Sequence, residues 1–163
     1  HIPYTNHNKN TYAIEEAGLV GRVVTLDDPG LGAALWLLPQ APDRQAREHE
    51  TKQAFLRGLL GARGYANYAG MVRFMHARSV PLIAADAWYL SILGVAPAAQ
   101  GQGLGRRLLE PTLAEAAAVG VSCWMETFTR RGARFYERSG FTLVAWHDEP
   151  TTGWPYAILR REP

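Results

Sequence analysis

The feature that most constrains the fold is a glycine-rich segment between a predicted strand and a predicted helix. Residues 88–95 are rich in aromatic and branched side chains, which indicates a buried strand, and a helix is expected over residues 103–119. Glycines before a helix leave main-chain N–H groups accessible, and the helix dipole adds partial positive charge, so such a segment binds anions. We expect it to hold a pyrophosphate. Its residues are Gln100, Gly101, Gln102, Gly103, Leu104, Gly105 and Arg106.

Two other phosphate-binding loops do not fit this segment. The dinucleotide fingerprint G-x-G-x-x-G requires glycine at the position of Arg106. The triphosphate loop requires a lysine and a hydroxyl residue after its last glycine, and the segment has neither. A glycine-rich turn without a ligand remains the simpler alternative when the loop is taken alone.

Alternating short strands and helices predict an α/β fold with a mixed sheet. The expected strands cover residues 22–26, 33–38, 88–95, 121–127, 141–146 and 156–160. The expected helices cover residues 11–18, 43–60, 65–78, 103–119 and 132–139, with Gly61 and Gly64 separating the second from the third. The first two strands should form a hairpin, and Pro111 should kink the fourth helix.

Composition narrows the class of protein. The 163 residues, 47% apolar and 20% charged, fit a single globular domain. Seventeen basic residues nearly balance fifteen acidic ones, so nothing demands a nucleic-acid partner, and no stretch is apolar enough to span a membrane. The lone Cys123 excludes an internal disulfide and suits a reducing compartment, so we expect a cytoplasmic protein. His49, His76 and His147 lack metal-ligand spacing, and no metal is expected.

Further motifs accompany the loop in a fixed order. They are Leu-Gly-Val-Ala-Pro at residues 93–97, Met-Glu-Thr at 125–127 and Phe-Tyr-Glu-Arg-Ser-Gly-Phe at 135–141. Together with Gln-x-x-Gly-x-Gly they resemble the GCN5-related N-acetyltransferase (GNAT) superfamily, with the nearest likeness to puromycin N-acetyltransferase and its relatives, over about residues 87–160. The resemblance implies acetyl-CoA as cofactor and a mostly antiparallel sheet whose two central strands splay apart.

The resemblance also assigns roles within the cofactor site. The main chain of Leu93, Gly94 and Val95 would bind the pantetheine arm, the glycine loop would bind the pyrophosphate, and Arg131 joins this cofactor-binding set. Two features depart from the family pattern. Gly132 stands where relatives often carry asparagine, and the family's opening strand and first helix have no counterpart after the polar, turn-rich residues 1–10, so they are either missing or replaced.

The chemistry of acetyl transfer points to three catalytic candidates. Tyr136 matches the family's general-acid tyrosine, and the N–H of Val95 is the candidate donor to the oxyanion. Glu126 is either a general base or a strand-end carboxylate paired with an arginine. His76 is more often a surface residue than a catalytic one, and Cys123 fits core packing better than nucleophilic chemistry.

The acceptor side is less constrained by the sequence. Tyr65, Tyr68 and Trp88 are candidate substrate-binding residues for a bulky aromatic amine, or alternatively core residues. The leading hypothesis is acetylation of a small-molecule primary amine by direct transfer in a ternary complex, with the protein a monomer or homodimer. A protein lysine or N-terminal acetyltransferase and a non-catalytic acyl-CoA-binding module are the alternatives.

Overall fold

The computed structural model describes residues 3–163 and contains four α-helices and six strands within them. The helices are α1 (Pro3–Val20), α2 (Pro42–Ser79), α3 (Leu104–Val119) and α4 (Arg130–Arg138). The strands are β1 (Gly21–Thr25), β2 (Gly32–Leu37), β3 (Trp88–Val95), β4 (Cys123–Thr127), β5 (Thr142–Glu149) and β6 (Trp154–Arg161). The predicted α/β class and all six predicted strands are confirmed, with shifts of a few residues at their ends.

The helices before β3 differ most from the sequence prediction. The expected short helix over residues 11–18 is the C-terminal part of α1. This helix also covers most of residues 1–10, which the sequence predicted to be turn-rich, and residues 1–2 lie outside the described part of the chain. Gly18 does not end α1 because its φ is not positive, so the helix continues to Val20. The two helices expected on either side of Gly61 form one helical element, α2, that is broken only at Gly61 (φ 67°, ψ 175°), whereas Gly64 remains helical.

The sheet has the strand order β1-β2-β3-β4-β6-β5, and every neighbouring pair is antiparallel except β3 and β4. The predicted hairpin of β1 and β2 is confirmed, and its turn is stabilised by the Asp28 side chain, which accepts from the N–H of Gly30 at 2.9 Å. The β3–β4 pair is short, because only Trp88 with Cys123 and Tyr89 with Trp124 are in register. Beyond Tyr89 the two strands separate, as the resemblance implied.

Helices cover both faces of the sheet. On one face, α3 and α4 pack over the main core, which contains Trp36, Leu108 and Tyr136. On the other face, α2 packs over a smaller cluster around Met75, Tyr156 and Ile158. Pro111 lies inside α3, as expected. None of the described helices combines the length and apolar character needed to cross a membrane.

Candidate active site

A cavity of about 520 Å³ opens beside the diverging ends of β3 and β4. It combines residues from the end of β3, the glycine loop, the end of β4 and α4. We refer to it as the candidate cofactor cavity, because its lining includes eight of the eleven predicted cofactor-binding residues: Leu93, Val95, Gln100, Gly101, Gly103, Leu104, Gly105 and Arg131. Tyr136, the predicted general acid, also lines it. The fold therefore brings most of the predicted cofactor set to one place.

The glycine loop presents main-chain N–H groups without internal partners. Among the described residues, none of the six N–H groups at positions 101–106 has a main-chain or side-chain acceptor, and the first bonded one is Arg107, which donates to Gly103 at 3.2 Å. Gly101 (φ 81°) and Gly103 (φ 76°) adopt the left-handed conformation that favours glycine. Because these amides surround the N-terminus of the 16-residue helix α3, they form an anion-binding concavity.

The end of β3 directs main-chain groups into the opening between the strands. The N–H of Ala96 donates to Leu31, and hydrogen-bonded pairs alternate along an antiparallel ladder. In this register the main-chain groups of Gly94 face β2, whereas those of Leu93 and Val95 face the opening toward β4. The carbonyl of Val95 accepts from the side-chain amide of Gln100 at 3.2 Å. Gly94 therefore differs from Leu93 and Val95, because its main-chain N–H and carbonyl groups face β2 within the sheet.

A register shift in β3 explains which side chains point toward this cavity. Ile92 pairs with Leu35 but Leu90 pairs with Trp36, so Ser91 is an extra residue in the strand. An extra residue reverses the alternation of side chains beyond it. Trp88 and Leu90 lie in the α3-side core before the shift, and Leu93 and Val95 pack against the same core after it.

Tyr136 on α4 is 8% exposed and is held between two phenylalanines. Its ring meets Phe135 and Phe141 edge to face, with centroids 5.0 Å and 5.8 Å away. Burial raises the pKa of its phenol to about 12, so the hydroxyl stays protonated across the neutral range. The phenol of Tyr136 therefore lines this cavity as a hydrogen-bond donor that carries its proton.

Gly132 lies within the first turn of α4, because this helix begins at Arg130, two residues before the predicted start. Its N–H donates to the Thr129 hydroxyl, 3.0 Å away, which caps the helix. A Cβ at this position would lie 2.4 Å from the hydroxyl oxygen of Thr127 and 2.9 Å from that of Thr129. The absent side chain is thus what allows two threonine hydroxyls to approach the helix, and both threonines line the cofactor cavity.

A second cavity, of about 380 Å³, lies under α2 and contains Glu126. Its walls are mainly apolar and aromatic, and they include Tyr68, Met71, Met75, Trp124 and Phe128. Along β4, Glu126 shares its face with Trp124, whereas the side chains of its neighbours Met125 and Thr127 point to the cofactor side. The two cavities therefore lie on opposite faces of the sheet where β3 and β4 separate.

Glu126 is a partly buried carboxylate whose hydrogen-bond partner is the hydroxyl of Tyr89. Burial raises its pKa to about 7, and a hydrogen bond from the Tyr89 hydroxyl to Oε2, 3.3 Å long, opposes that rise. Among the described residues no arginine is paired with it, so the alternative of a strand-end carboxylate held by an arginine does not apply. A carboxylate with a pKa near neutrality can exchange protons at physiological pH.

Some predicted residues lie elsewhere. Trp88 and Tyr65 do not line the cavity of Glu126: Trp88 alternates with Tyr89 and packs in the α3-side core, and Tyr65 lies under the guanidinium of Arg57, 4.8 Å away. Tyr68, by contrast, does line it. Gln102 and Arg106 are exposed beside the loop and are not among the residues that line the cofactor cavity.

The structure also locates His76 and Cys123, the two other catalytic candidates that the sequence suggested. His76 is exposed and lies at the edge of the cavity that holds Glu126. Cys123 is 2% exposed in the core, and burial raises the pKa of its thiol to about 11, which leaves it poorly suited to nucleophilic attack. Among the side chains that the structure describes, residues 11–163, no group of three or more histidine, cysteine, aspartate or glutamate residues could hold a metal ion.

Several lining residues were missed by sequence reasoning. Tyr89 and Ser91 face the cavity that contains Glu126, because they alternate with Trp88 and Leu90 along the strand, and the strand pattern contains this signal. Lys52 reaches the same cavity from α2 and forms an ion pair with Glu16, with N–O distances of 2.8 and 2.9 Å. No local sequence signal indicates this contact, because α1 and α2 meet only in the folded chain.

Comparison with protein families decides the assignment. The profile described as the acetyltransferase (GNAT) domain matches residues 61–143, which is just over half of the chain. The chain belongs to the GNAT acetyltransferase family. This match confirms the resemblance of the motifs to the GNAT superfamily, and it does not extend to the likeness to puromycin N-acetyltransferase.

Individual relatives add to the family assignment. A mycothiol acetyltransferase from Beutenbergia cavernae is 46% identical over 59 residues, a match that covers 34% of this chain and only 20% of that relative. The polyamine N-acetyltransferase of Drosophila melanogaster has a TM-score of 0.69 at 14% identity, covering 100% of this chain and 84% of its own. A mosquito arylalkylamine N-acetyltransferase-like protein has a TM-score of 0.67, also at 14% identity, covering 96% and 81%. At such identities these two structures demonstrate the shared fold.

Proposed function

We propose that this GNAT domain transfers the acetyl group of acetyl-CoA directly to a primary amine of a small molecule. The observation that carries the proposal is the pair of cavities on opposite faces of the sheet, beside the point where β3 and β4 separate. Such an arrangement allows a cofactor and an acceptor to approach from different sides and react without a covalent enzyme intermediate.

The residues of the cofactor cavity fit an acyl-CoA. The unpaired amides at positions 101–106 and the guanidinium of Arg131 suit a pyrophosphate. The main-chain groups of Leu93 and Val95 suit an amide-containing arm that lies along β3 as an additional strand would. Acetyl-CoA supplies an activated acetyl group when it is bound there.

The roles of the protein side chains follow from their positions and pKa values. Glu126, with a pKa near 7, takes a proton from the acceptor amine directly or through a water. The N–H of Val95 would donate a hydrogen bond to the thioester oxygen. Tyr136 would supply a proton to the thiol that leaves, since its raised pKa keeps the phenol protonated in the resting enzyme.

The character of the acceptor cavity supports a small molecule with an apolar body. Tyr68, Trp124 and Phe128 offer flat surfaces, and a volume of about 380 Å³ falls in the usual range of small-molecule sites. This composition agrees with the likeness to the puromycin-modifying branch, which rests on sequence motifs. Two structural neighbours are named as agmatine and polyamine N-acetyltransferases, and at 14% identity their substrates do not identify the acceptor of this chain.

Two measurements test the proposal. Acetyl-CoA at about a hundredfold excess over its Kd should raise the free energy of unfolding by about 2.7 kcal/mol, which a thermal shift detects. Thiol release should then be followed across a panel of primary amines with aromatic, aliphatic and polycationic bodies. Absence of stabilisation contradicts the cofactor assignment, whereas stabilisation without thiol release from any amine or peptide favours a non-catalytic acyl-CoA-binding module.

A further inference from the structure

Tyr89 occupies a special position at the point where the two central strands part. It is the last residue of β3 that is in register with β4, where it pairs with Trp124. Its side chain points to the α2 face of the sheet, into the cavity that also contains Glu126. The phenol therefore extends past the end of the parallel ladder, beside the strand that carries the candidate base.

The ring of Tyr89 is held firmly. It packs against Trp124 with the ring centroids 4.4 Å apart and the planes inclined by 38°. Such aromatic contacts contribute about 0.5–1.5 kcal/mol beyond the area that they bury. Because both rings come from strands that are paired at this position, the hydroxyl has little freedom to leave its place.

The hydroxyl of Tyr89 donates to Oε2 of Glu126, 3.3 Å away. Oε1 of Glu126 has no hydrogen-bond partner in the part of the chain that the structure describes. One carboxylate oxygen is thus held by the protein and the other is not, and the residue lines a cavity of a size suited to a small amine. This asymmetry orients the carboxylate as well as influencing its charge.

The ionisation of Glu126 reflects two opposing influences. Burial raises its pKa to about 7, and the Tyr89 hydrogen bond, which favours the charged form, limits that rise. The pKa of Tyr89 is itself raised, first by burial and then by the neighbouring carboxylate, so this phenol remains a donor. The other titratable groups that line the cavity are Lys52, Tyr68 and His76 from α2. Tyr156 of β6 lies near Glu126, and Glu16 forms an ion pair with Lys52.

We infer that Tyr89 is a positioning residue for acetyl transfer, which holds Oε2 of Glu126 and leaves Oε1 to receive the proton of the acceptor amine. This inference rests on the proposed function, because it takes Glu126 as the base. It assigns Tyr89 no contact with the reacting atoms. Its effect reaches the acceptor only through the orientation and ionisation of the carboxylate.

The test is the Tyr89→Phe variant, which keeps the ring against Trp124 and removes only the hydroxyl. Carbon NMR of protein labelled at the glutamate carboxyls reports the titration of Glu126, whose signal is the one missing from Glu126→Gln. The midpoint should rise in the variant by about half a unit to one unit, since a donor to the carboxylate is lost. In parallel, the acid limb of the kcat/KM profile should move by the same amount, which lowers the rate about threefold to tenfold on that limb.

Tyr156→Phe is the matched control. This tyrosine is buried near the same carboxylate, but its hydroxyl has no partner among the described residues, so its loss should leave the Glu126 midpoint in place. If Tyr89→Phe does not fold, uniform replacement of tyrosine by the more acidic fluorotyrosine gives a second measurement of opposite sign, because a stronger donor lowers the midpoint.

The outcomes separate the inference from the proposed function. An unchanged NMR midpoint in Tyr89→Phe, or an equal shift in Tyr156→Phe, overturns the inference whatever happens to the rate. A shifted midpoint with a matching kinetic limb supports it. A shifted midpoint without a matching kinetic limb shows that Glu126 is not the base, and it overturns the positioning role of Tyr89 together with that part of the proposed function.

Discussion

Replacing Glu126 by glutamine should make the protein more stable at neutral and alkaline pH. Burial raises the pKa of this carboxyl from 4.5 to about 7, which means that the folded protein holds the proton more tightly than the unfolded chain does. The stability associated with the protonated carboxyl is fully present below the unfolded pKa and is lost as the pH rises through the folded one. Glutamine stays neutral and avoids this loss.

The magnitude follows from the size of the pKa difference. Each unit corresponds to about 1.4 kcal/mol, so the wild-type protein loses about 3 kcal/mol from this one group above pH ~7.5. Glutamine is nearly isosteric and its carbonyl oxygen can still accept from Tyr89, so the packing and the hydrogen bond are expected to survive. The advantage of the variant should be close to zero near pH ~4.5 and should approach ~3 kcal/mol near pH ~8.

Urea unfolding of the two proteins at a series of pH values measures this difference, because titrations common to both cancel. Glu137→Gln removes a carboxylate at an exposed position of α4, and its effect should remain within about 0.5 kcal/mol throughout. A difference between Glu126→Gln and the wild type that does not change with pH would refute the reasoning. It would mean that Glu126 ionises as easily in the folded protein as in the unfolded chain.

Two further substitutions test the cofactor side. Gly132→Ala places a Cβ 2.4 Å from the hydroxyl of Thr127 and should lower the free energy of unfolding in urea by about 1–3 kcal/mol. The control Gly18→Ala, where no atom lies within 4 Å of the new Cβ, should be neutral or slightly stabilising. Equal effects of the two substitutions would contradict the close approach at Gly132. Tyr136→Phe should lower kcat by about a hundredfold while acetyl-CoA still raises the melting temperature by the wild-type amount, and an unchanged kcat would remove Tyr136 from the mechanism.

The cofactor side of the domain was predictable because its determinants are local. The glycine loop, the strand before it and the helix after it are contiguous in sequence, and the free amides result from the helix N-terminus itself. The separation of β3 and β4 is different. No strand pattern reveals where two parallel strands stop pairing, and this feature was expected only through the family resemblance.

The acceptor side was much less predictable, because it is assembled from distant segments. Trp88 was expected in the pocket and Tyr89 was not, although strand alternation places the two on opposite faces. Which face belongs to the acceptor depends on the packing of α2, and the aromatic residues of α2 did not reveal that Tyr65 points elsewhere. The extra residue at Ser91 reverses the alternation of side chains along β3, and no pattern in the strand predicts it.

The raised pKa of Glu126 and the apolar walls of its cavity have the same structural cause. Its carboxyl is costly to ionise because α2 and β3 cover it, and the same covering creates the apolar walls that would receive an acceptor. A protein that buried this carboxyl only for structural reasons would gain stability from an apolar residue there. The single hydrogen bond from Tyr89 leaves Oε1 without a partner among the described residues, in a carboxyl group that lines a cavity. A stability penalty of this kind is typical of a site maintained for chemistry.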